Sequence, residues 1–227
     1  MRTNKLAVFG GGAAIGMLGG LIGLGGAEFR LPLLIGIFRF GALEAVILNK
    51  AMSIVVVASA LFFRSRTVQF ESVVSHWDVI MNLLAGSLAG AWLGASWAMR
   101  IKSETLYRTI AILLVVIALV LLFGHNSAAA NGLIVTGIVQ AILGVIAGFA
   151  IGVVAALLGV AGGELLIPTI ILLFGADIKL AGSLSLAVSL PTMLTGFMRY
   201  RRDKSFTVLQ ENYGFVFIMA AGSLVRV

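Results

Sequence analysis

Two glycine-rich segments carry the residue types that could bind a small anion. The segment Gly23-Leu-Gly-Gly-Ala-Glu-Phe-Arg-Leu-Pro32 aligns without a gap with Gly159-Val-Ala-Gly-Gly-Glu-Leu-Leu-Ile-Pro168, 136 residues further along the chain. Glycine costs about 1 kcal/mol in a helix interior, so each cluster is expected to break its helix and to leave backbone N–H groups free. Free N–H groups at the start of the next helix favour an anion. The predicted donors are the backbones of Gly23, Gly25, Gly26, Gly159, Gly162 and Gly163.

One glutamate follows each glycine cluster, Glu28 in the first segment and Glu164 in the second. A charged side chain within a membrane span is costly and is usually functional. We therefore predict that these two glutamates couple transport to protons. The alternative is that each one only stabilises the start of a helix through its negative charge.

Two basic residues are also expected at membrane depth, Arg30 beside the first break and Lys50 well inside the following helix. The second unit has Leu166 and Leu186 at the equivalent positions, so only the first unit would supply a positive charge to the site. Arg30 and Lys50 are predicted to bind the substrate. Pairing of Arg30 with Glu28, and extension of the Lys50 side chain to the membrane surface, are the alternatives.

A stripe of small polar residues recurs in both halves of the chain. Asn49 and Ser53 are one helical turn apart, and Ser185, Ser189 and Thr192 share one face of a later helix. The 136-residue offset places Asn49 over Ser185 and Ser53 over Ser189. The stripes are predicted to bind substrate, although such residues also join membrane helices or bond to their own backbone carbonyls.

The composition explains where these residues must lie. The chain has 227 residues, of which 60% are hydrophobic and only 11% are charged, with a mean hydropathy of +1.12. Such a chain cannot cover its surface with polar groups, which excludes a water-soluble domain. With no cysteine and two histidines, the sequence offers no disulfide, no metal site and no cofactor site, and no enzyme is predicted.

Apolar runs long enough to cross a bilayer, about 17 to 25 residues, occur at six places. They are Leu6 to Leu24, Ala42 to Phe63, Trp77 to Met99, Leu106 to Phe123, Leu133 to Leu158 and Leu180 to Met198. A further run begins near Tyr213, and two apolar segments, Phe29 to Phe38 and Leu165 to Phe174, are too short to span as straight helices.

The net charge of +7 comes from clusters of basic residues between these runs, which is typical of a membrane protein rather than of a nucleic-acid partner. We expect the basic clusters near Arg100 and Arg199 and the N-terminus to face the cytoplasm. Arg64 and Arg66 then fall on the outer side, against the rule.

The offset defines an internal repeat. Residues 12–53 and 148–189 share 15 identities in 42 positions. We therefore expect an all-α, polytopic membrane protein of two units, residues 1–130 and 131–227, each with long helices and one short half-helix. Five crossings per unit would invert the second unit, whereas re-entrant short segments would leave the units parallel. The second unit is expected to lack its C-terminal end.

The duplicated G-x-G-G-x-E-x-x-x-P blocks, with Ala181-Gly-Ser-Leu-Ser-Leu-Ala-Val-Ser-Leu-Pro191 and the basic end Arg199-Tyr-Arg-Arg202, resemble the sulfite exporter TauE/SafE family of membrane permeases. The resemblance implies a multi-pass plasma-membrane transporter of sulfite, sulfoacetate or related sulfonates, coupled to an ion gradient. A transporter of another small anion or metabolite and an inactive truncated membrane protein are the alternatives.

Overall fold

The computed structural model describes residues 5–22, 26–64, 75–124 and 136–224. All regular structure in these residues is helical, which confirms the predicted all-α class. The helices are α1 Lys5–Ile22, α2 Ala27–Gly36, α3 Ala42–Arg64, α4 Trp77–Ala98, α5 Ser103–Gly124, α6 Ile138–Leu158, α7 Gly163–Phe174, α8 Ile178–Tyr200, α9 Thr207–Glu211 and α10 Tyr213–Leu224, with a 3₁₀ turn at Lys204–Phe206 before α9.

Four of the predicted spans are confirmed within the described residues. These helices are long and apolar enough to cross a membrane, over Ala42–Phe62, Trp77–Ala98, Ile138–Leu158 and Ile178–Tyr200. The other two predicted spans are helical as α1 and α5. The short segments form α2 and α7, which begin two residues before the predicted starts, so the glutamates fall within their first turns.

Glycines allow the helix backbones to approach closely. A Cβ atom at Gly86 or Gly90 of α4 would overlap the backbone of Val145 or Phe149 in α6. The same close contact joins α1 to α10, where Gly12 faces the backbone of Met219. Small residues serve this purpose in lipid, where tight backbone packing replaces the hydrophobic drive for helix association.

The helix bounds recur at the same offset of 136 residues. The starts of α2 and α7 match, as do both ends of α3 and α8 and the starts of α4 and α10. The closest helix contacts follow the same repeat. The counterparts of α1 and α10 are α6 and α4, and both pairs pack closely together.

Contacts between named residues give the helix directions. Val46 approaches Gly159 and Lys50 bonds to Ala155, so α3 and α6 are antiparallel. The rings of Phe40 and Phe215 are in contact at the starts of α3 and α10. Further along the two helices, Ser53 of α3 and Ser223 of α10 both accept hydrogen bonds from Arg30, so α3 and α10 are parallel.

The counterpart helices α1 and α6 run in opposite directions. Gly12 and Gly16 face Met219 and Ser223 in the same order, so α1 is parallel to α10 and therefore to α3. Since α3 is antiparallel to α6, α1 is antiparallel to α6 as well.

The short helix α7 lies between two parallel helices. Along α4, Gly86 and Gly94 meet Val145 and Val153 of α6 in the same order. Two hydrogen bonds show that α4 is also parallel to α8. Ser87 bonds to Thr192, and Ser96, further along α4, bonds to Arg199, further along α8. Because α6 and α8 both run parallel to α4, α7 carries the chain back in the opposite direction.

Candidate anion site at the helix breaks

Both predicted helix breaks occur, and glycine conformation explains them. The helix α6 ends at Leu158 with Gly159 at φ 67°, and α7 begins after Gly162 at φ 78°. In the first unit Gly26 precedes α2 at φ 72°. Positive φ is disfavoured for residues with a Cβ atom, so these positions need glycine. Gly163 begins α7 without a positive φ, and Gly23 and Gly25 lie outside the described residues.

The carbonyls at the end of α6 are bonded by side chains from α3 and α8. Lys50 Nζ donates to Ala155 O at 3.1 Å, and Tyr200 Oη donates to Ala156 O at 2.9 Å. Asn49 Nδ2 donates at 3.0 Å to Leu158 O. The last carbonyls of a helix have no partner within the helix, so Lys50 and Asn49 satisfy groups that the break leaves exposed. Tyr200 adds a second hydrogen bond to Ala156 O, which also accepts from Gly159 N at 3.2 Å.

Asn49 and Lys50 both donate hydrogen bonds to backbone carbonyls of other helices, and their predicted role in substrate binding stays a prediction. Asn49 Nδ2 also donates to Ala27 O at 3.0 Å, which ties the start of α2 to the end of α6. Lys50 is completely buried, so its side chain does not extend to the membrane surface. Tyr200 was absent from the predicted set, because an aromatic residue at a basic helix end is also typical of a membrane interface.

Glu28 and Glu164 meet at the two breaks. Their side chains are 8% and 1% exposed, and the two carboxyl groups are close enough to interact electrostatically. Neither oxygen of Glu28 and not Oε2 of Glu164 has a hydrogen-bond partner among the described residues. The contact places two ionisable groups in one buried location beside both glycine clusters.

Arg30 projects from the next turn of α2 and is completely buried. Its Nη1 and Nη2 atoms make long hydrogen bonds to Ser53 Oγ at 3.4 Å and Ser223 Oγ at 3.5 Å, and Nε has no partner in the described part of the chain. No salt bridge to Arg30 forms within the described ranges, although the charge of Glu28 acts on it. The predicted direct pairing with Glu28 is therefore replaced by two hydroxyl groups.

Ser223 was not among the predicted site residues, although the sequence holds a signal for it. The tetrapeptide at residues 85–88 recurs at residues 221–224, so Ser87 and Ser223 occupy equivalent positions in the repeat. Ser223 lies 193 positions from Arg30, and only the packing of α10 against α1 and α3 brings the two together.

The equivalent location in the second unit has hydroxyl groups and no arginine among the residues described. Ser87 and Thr192 share a hydrogen bond of 2.7 Å, and Ser189 Oγ is buried with no partner among the residues described. Leu166 occupies the position equivalent to Arg30. Ser185 bonds to its own helix at Gly182 O, which leaves its hydroxyl less available than that of Ser189.

These residues form two neighbouring groups. The first group, which we call the arginine cradle, consists of Arg30, Ser53 and Ser223 beside the Glu28–Glu164 pair. The second consists of the donors that bond the end of α6. Guanidinium N–H groups and hydroxyls bind oxyanions, and within the described ranges no cluster of three or more acidic or histidine side chains suits a metal ion.

The family of the chain follows from comparison with known proteins. The model of the family described as "Sulfite exporter TauE/SafE" matches residues 8–227, which is nearly the whole chain. No curated protein and no solved structure matches it. The family match agrees with the apolar helices that are long enough to span a membrane. The chain therefore belongs to the sulfite exporter TauE/SafE family of membrane transporters.

Proposed function

We propose that this protein is a secondary permease that moves sulfite or a small organosulfonate across the plasma membrane, with the anion bound in the arginine cradle. The family supports an oxyanion of sulfur as the substrate. The observation that carries the proposal is Arg30, which is buried and bonded only to two hydroxyl groups among the described residues.

The chemistry of the cradle fits a sulfonate or sulfite group. A guanidinium has five N–H donors in one plane, and three oxygens on one sulfur accept several of them at once. The contacts of Arg30 to Ser53 and Ser223 are long, so the guanidinium can turn toward a bound oxyanion. The Ser223 hydroxyl itself donates to Met219 O at 3.0 Å and to Gly12 O at 3.3 Å. Ser189, the counterpart of Ser53 in the repeat, is proposed to contribute a further hydroxyl, because its Oγ has no partner among the described residues.

Charge balance also favours an anion. Near the breaks the structure buries two basic side chains, Arg30 and Lys50, and two carboxyl groups, Glu28 and Glu164. Two ionised carboxylates buried side by side repel each other, so we propose that the pair holds one proton. The described groups then carry a net positive charge, which a bound anion neutralises.

The Glu28–Glu164 pair is the proposed coupling site. Two carboxyl groups that interact electrostatically in a buried location bind protons as a pair rather than independently. Glu28 also acts electrostatically on Arg30. Proton uptake by the pair therefore changes the charge that Arg30 experiences and, with it, the affinity of the cradle for an anion.

Alternating access is proposed to arise from two inverted units, residues 1–130 and 131–227. The antiparallel course of α1 and α6 and the matching helix bounds support this arrangement. One unit would rock against the other around the breaks, with the glycines as hinges.

The distribution of charge supports a cytoplasmic N-terminus. The start of α1, the end of α4 and the end of α8 lie at one end of the helix bundle, as their contacts and directions require. Basic residues are concentrated at that end, and such residues favour the cytoplasmic side. They include Lys5, Arg100, Lys102, Arg108, Arg199, Arg201, Arg202 and Lys204.

Transport by purified protein in proteoliposomes tests the proposal. We expect counterflow of sulfite or an organosulfonate. A carboxylate of the same charge and size is tested in parallel as the alternative substrate. Arg30→Gln should raise KM about 10- to 100-fold, since a hydrogen bond to a charged group is worth about 1.5–3 kcal/mol. The matched control is Arg201→Gln, whose side chain is exposed. Transport of the carboxylate alone, or an unchanged KM in Arg30→Gln, would contradict the proposal.

A further inference from the structure

A cluster of two arginines and a tryptophan lies at the basic end of the bundle, where α4 and α8 end. The guanidinium carbon of Arg199 is 4.9 Å from the centre of the Trp92 ring, and that of Arg202 is 5.9 Å from it. Within the described part of the chain neither arginine forms a salt bridge. Two cations therefore share one aromatic ring with no acidic partner.

Hydrogen bonds fix the inner part of the cluster. Arg199 Nε donates to Ser96 Oγ at 2.7 Å, and that hydroxyl donates to the carbonyl of Trp92 at 2.7 Å. The Arg199 side chain is thereby held in place through its Nε atom. Its two terminal nitrogens have no other hydrogen bond among the described residues, so up to four N–H groups stay available for an acceptor.

The surroundings of the cluster indicate which acceptor reaches it. Trp92 is 41% exposed and belongs to a face of α4 on which Leu93 and Trp97 are also exposed. In a membrane-spanning helix such a face contacts lipid, and tryptophan is favoured at the level of the headgroups. A ligand at this location therefore has an apolar part along α4 and an anionic part at the arginines.

We propose that Arg199, Arg202 and Trp92 form a binding site for the phosphate of an anionic phospholipid. The guanidinium groups bind the phosphate oxygens, and the Trp92 ring contacts the glycerol and upper acyl region. This site shares no residue with the arginine cradle, and the proposal does not depend on the transported substrate.

Tryptophan fluorescence tests the proposal, because Trp92 can be the only tryptophan left. Trp77→Phe with Trp97→Phe removes the other two. The protein is placed in phosphatidylcholine vesicles that contain an increasing mole fraction of brominated phosphatidylglycerol or of brominated phosphatidylcholine. A brominated lipid quenches the fluorescence of a tryptophan ring that it contacts. We expect the phosphatidylglycerol to quench Trp92 at a mole fraction about 25-fold lower, because each of the two arginines contributes a factor of about five near anionic lipid.

Matched variants separate this site from the general charge of the surface. Arg199→Gln with Arg202→Gln should abolish the preference, whereas Arg100→Gln with Lys102→Gln, at the same end of the bundle, should leave it unchanged. If the first double variant fails to fold, Arg202→Gln alone should lower the preference about fivefold, because that side chain is exposed and carries no structural bond among the described residues.

Three outcomes would overturn the proposal. They are equal quenching by the two brominated lipids, a preference that survives Arg199→Gln with Arg202→Gln, and loss of the preference when inorganic phosphate is added at constant ionic strength. The last outcome would identify a soluble anion as the ligand in place of a lipid.

Discussion

The buried carboxyl groups of Glu28 and Glu164 are close enough to interact electrostatically, although the residues are 136 positions apart in the chain. Each glutamate lies in the first turn of a short helix that follows a glycine-rich break. The contact therefore joins the two breaks at a single buried point, and a change of protonation there acts on both of them.

The glutamate pair gives the first prediction. Glu164→Gln keeps the size of the side chain and its ability to hydrogen-bond, but it removes a proton-binding group from the pair. We expect stimulation of transport by a pH gradient to be lost, with counterflow at equal pH reduced less than threefold. Proteoliposomes with and without an imposed gradient measure both quantities. Glu211→Gln, an exposed position, is the control, and retained stimulation in Glu164→Gln would refute the coupling role.

Serine hydroxyls at the two equivalent locations give the second prediction. Ser223→Ala removes a hydroxyl that holds Arg30, and Ser189→Ala removes one that has no partner among the described residues. A neutral hydrogen bond is worth about 0.5–1.5 kcal/mol, so each variant should raise KM about two- to tenfold without loss of folding. Ser59→Ala on α3 is the control, since that hydroxyl bonds only within its own helix. An unchanged KM would assign the polar stripe to packing.

Lys50 and Tyr200 give the third prediction, which concerns stability. Lys50→Met leaves the carbonyl of Ala155 without its side-chain partner, and Tyr200→Phe removes one of the two hydrogen bonds that the carbonyl of Ala156 accepts. An unsatisfied buried group costs about 1–3 kcal/mol and a neutral hydrogen bond is worth about 0.5–1.5 kcal/mol, so thermal unfolding in detergent should begin at a lower temperature, with the larger effect for Lys50→Met. KM should stay within about twofold of the wild-type value, because neither side chain bonds to the arginine cradle. A large rise in KM for Lys50→Met would place Lys50 at the substrate.

The glycine contacts between α4 and α6 give the fourth prediction. Gly90→Ala places a methyl group against the backbone of Phe149, which forces the helices apart. Overpacking of this kind costs about 1–3 kcal/mol. Gly10→Ala on α1 is the matched control, because a Cβ atom there meets nothing within 4 Å and alanine favours the helix. Thermal unfolding should therefore separate the two variants, and equal destabilisation would contradict the close packing.

Much of this fold could be predicted from local patterns. The apolar runs, the two short segments and the break between each glycine cluster and its glutamate all depend on neighbouring residues, so the sequence defines them directly. The repeat also placed Glu28 and Glu164 at equivalent positions. The inverted arrangement of the units is still a prediction, as are the roles of the site residues.

The tertiary structure decided which of these residues meet. Sequence indicated that Asn49, Lys50 and Arg30 were polar groups at membrane depth, yet it gave equal reason to place all three at the substrate. Packing of α3 against α6 instead directs Asn49 and Lys50 to the carbonyls that the break in α6 exposes. Packing of α10 brings Ser223 to Arg30 across 193 positions of sequence. The physical reason is that composition and periodicity determine where a helix begins, ends and enters lipid, whereas the partner of a buried polar group depends on which helices pack together.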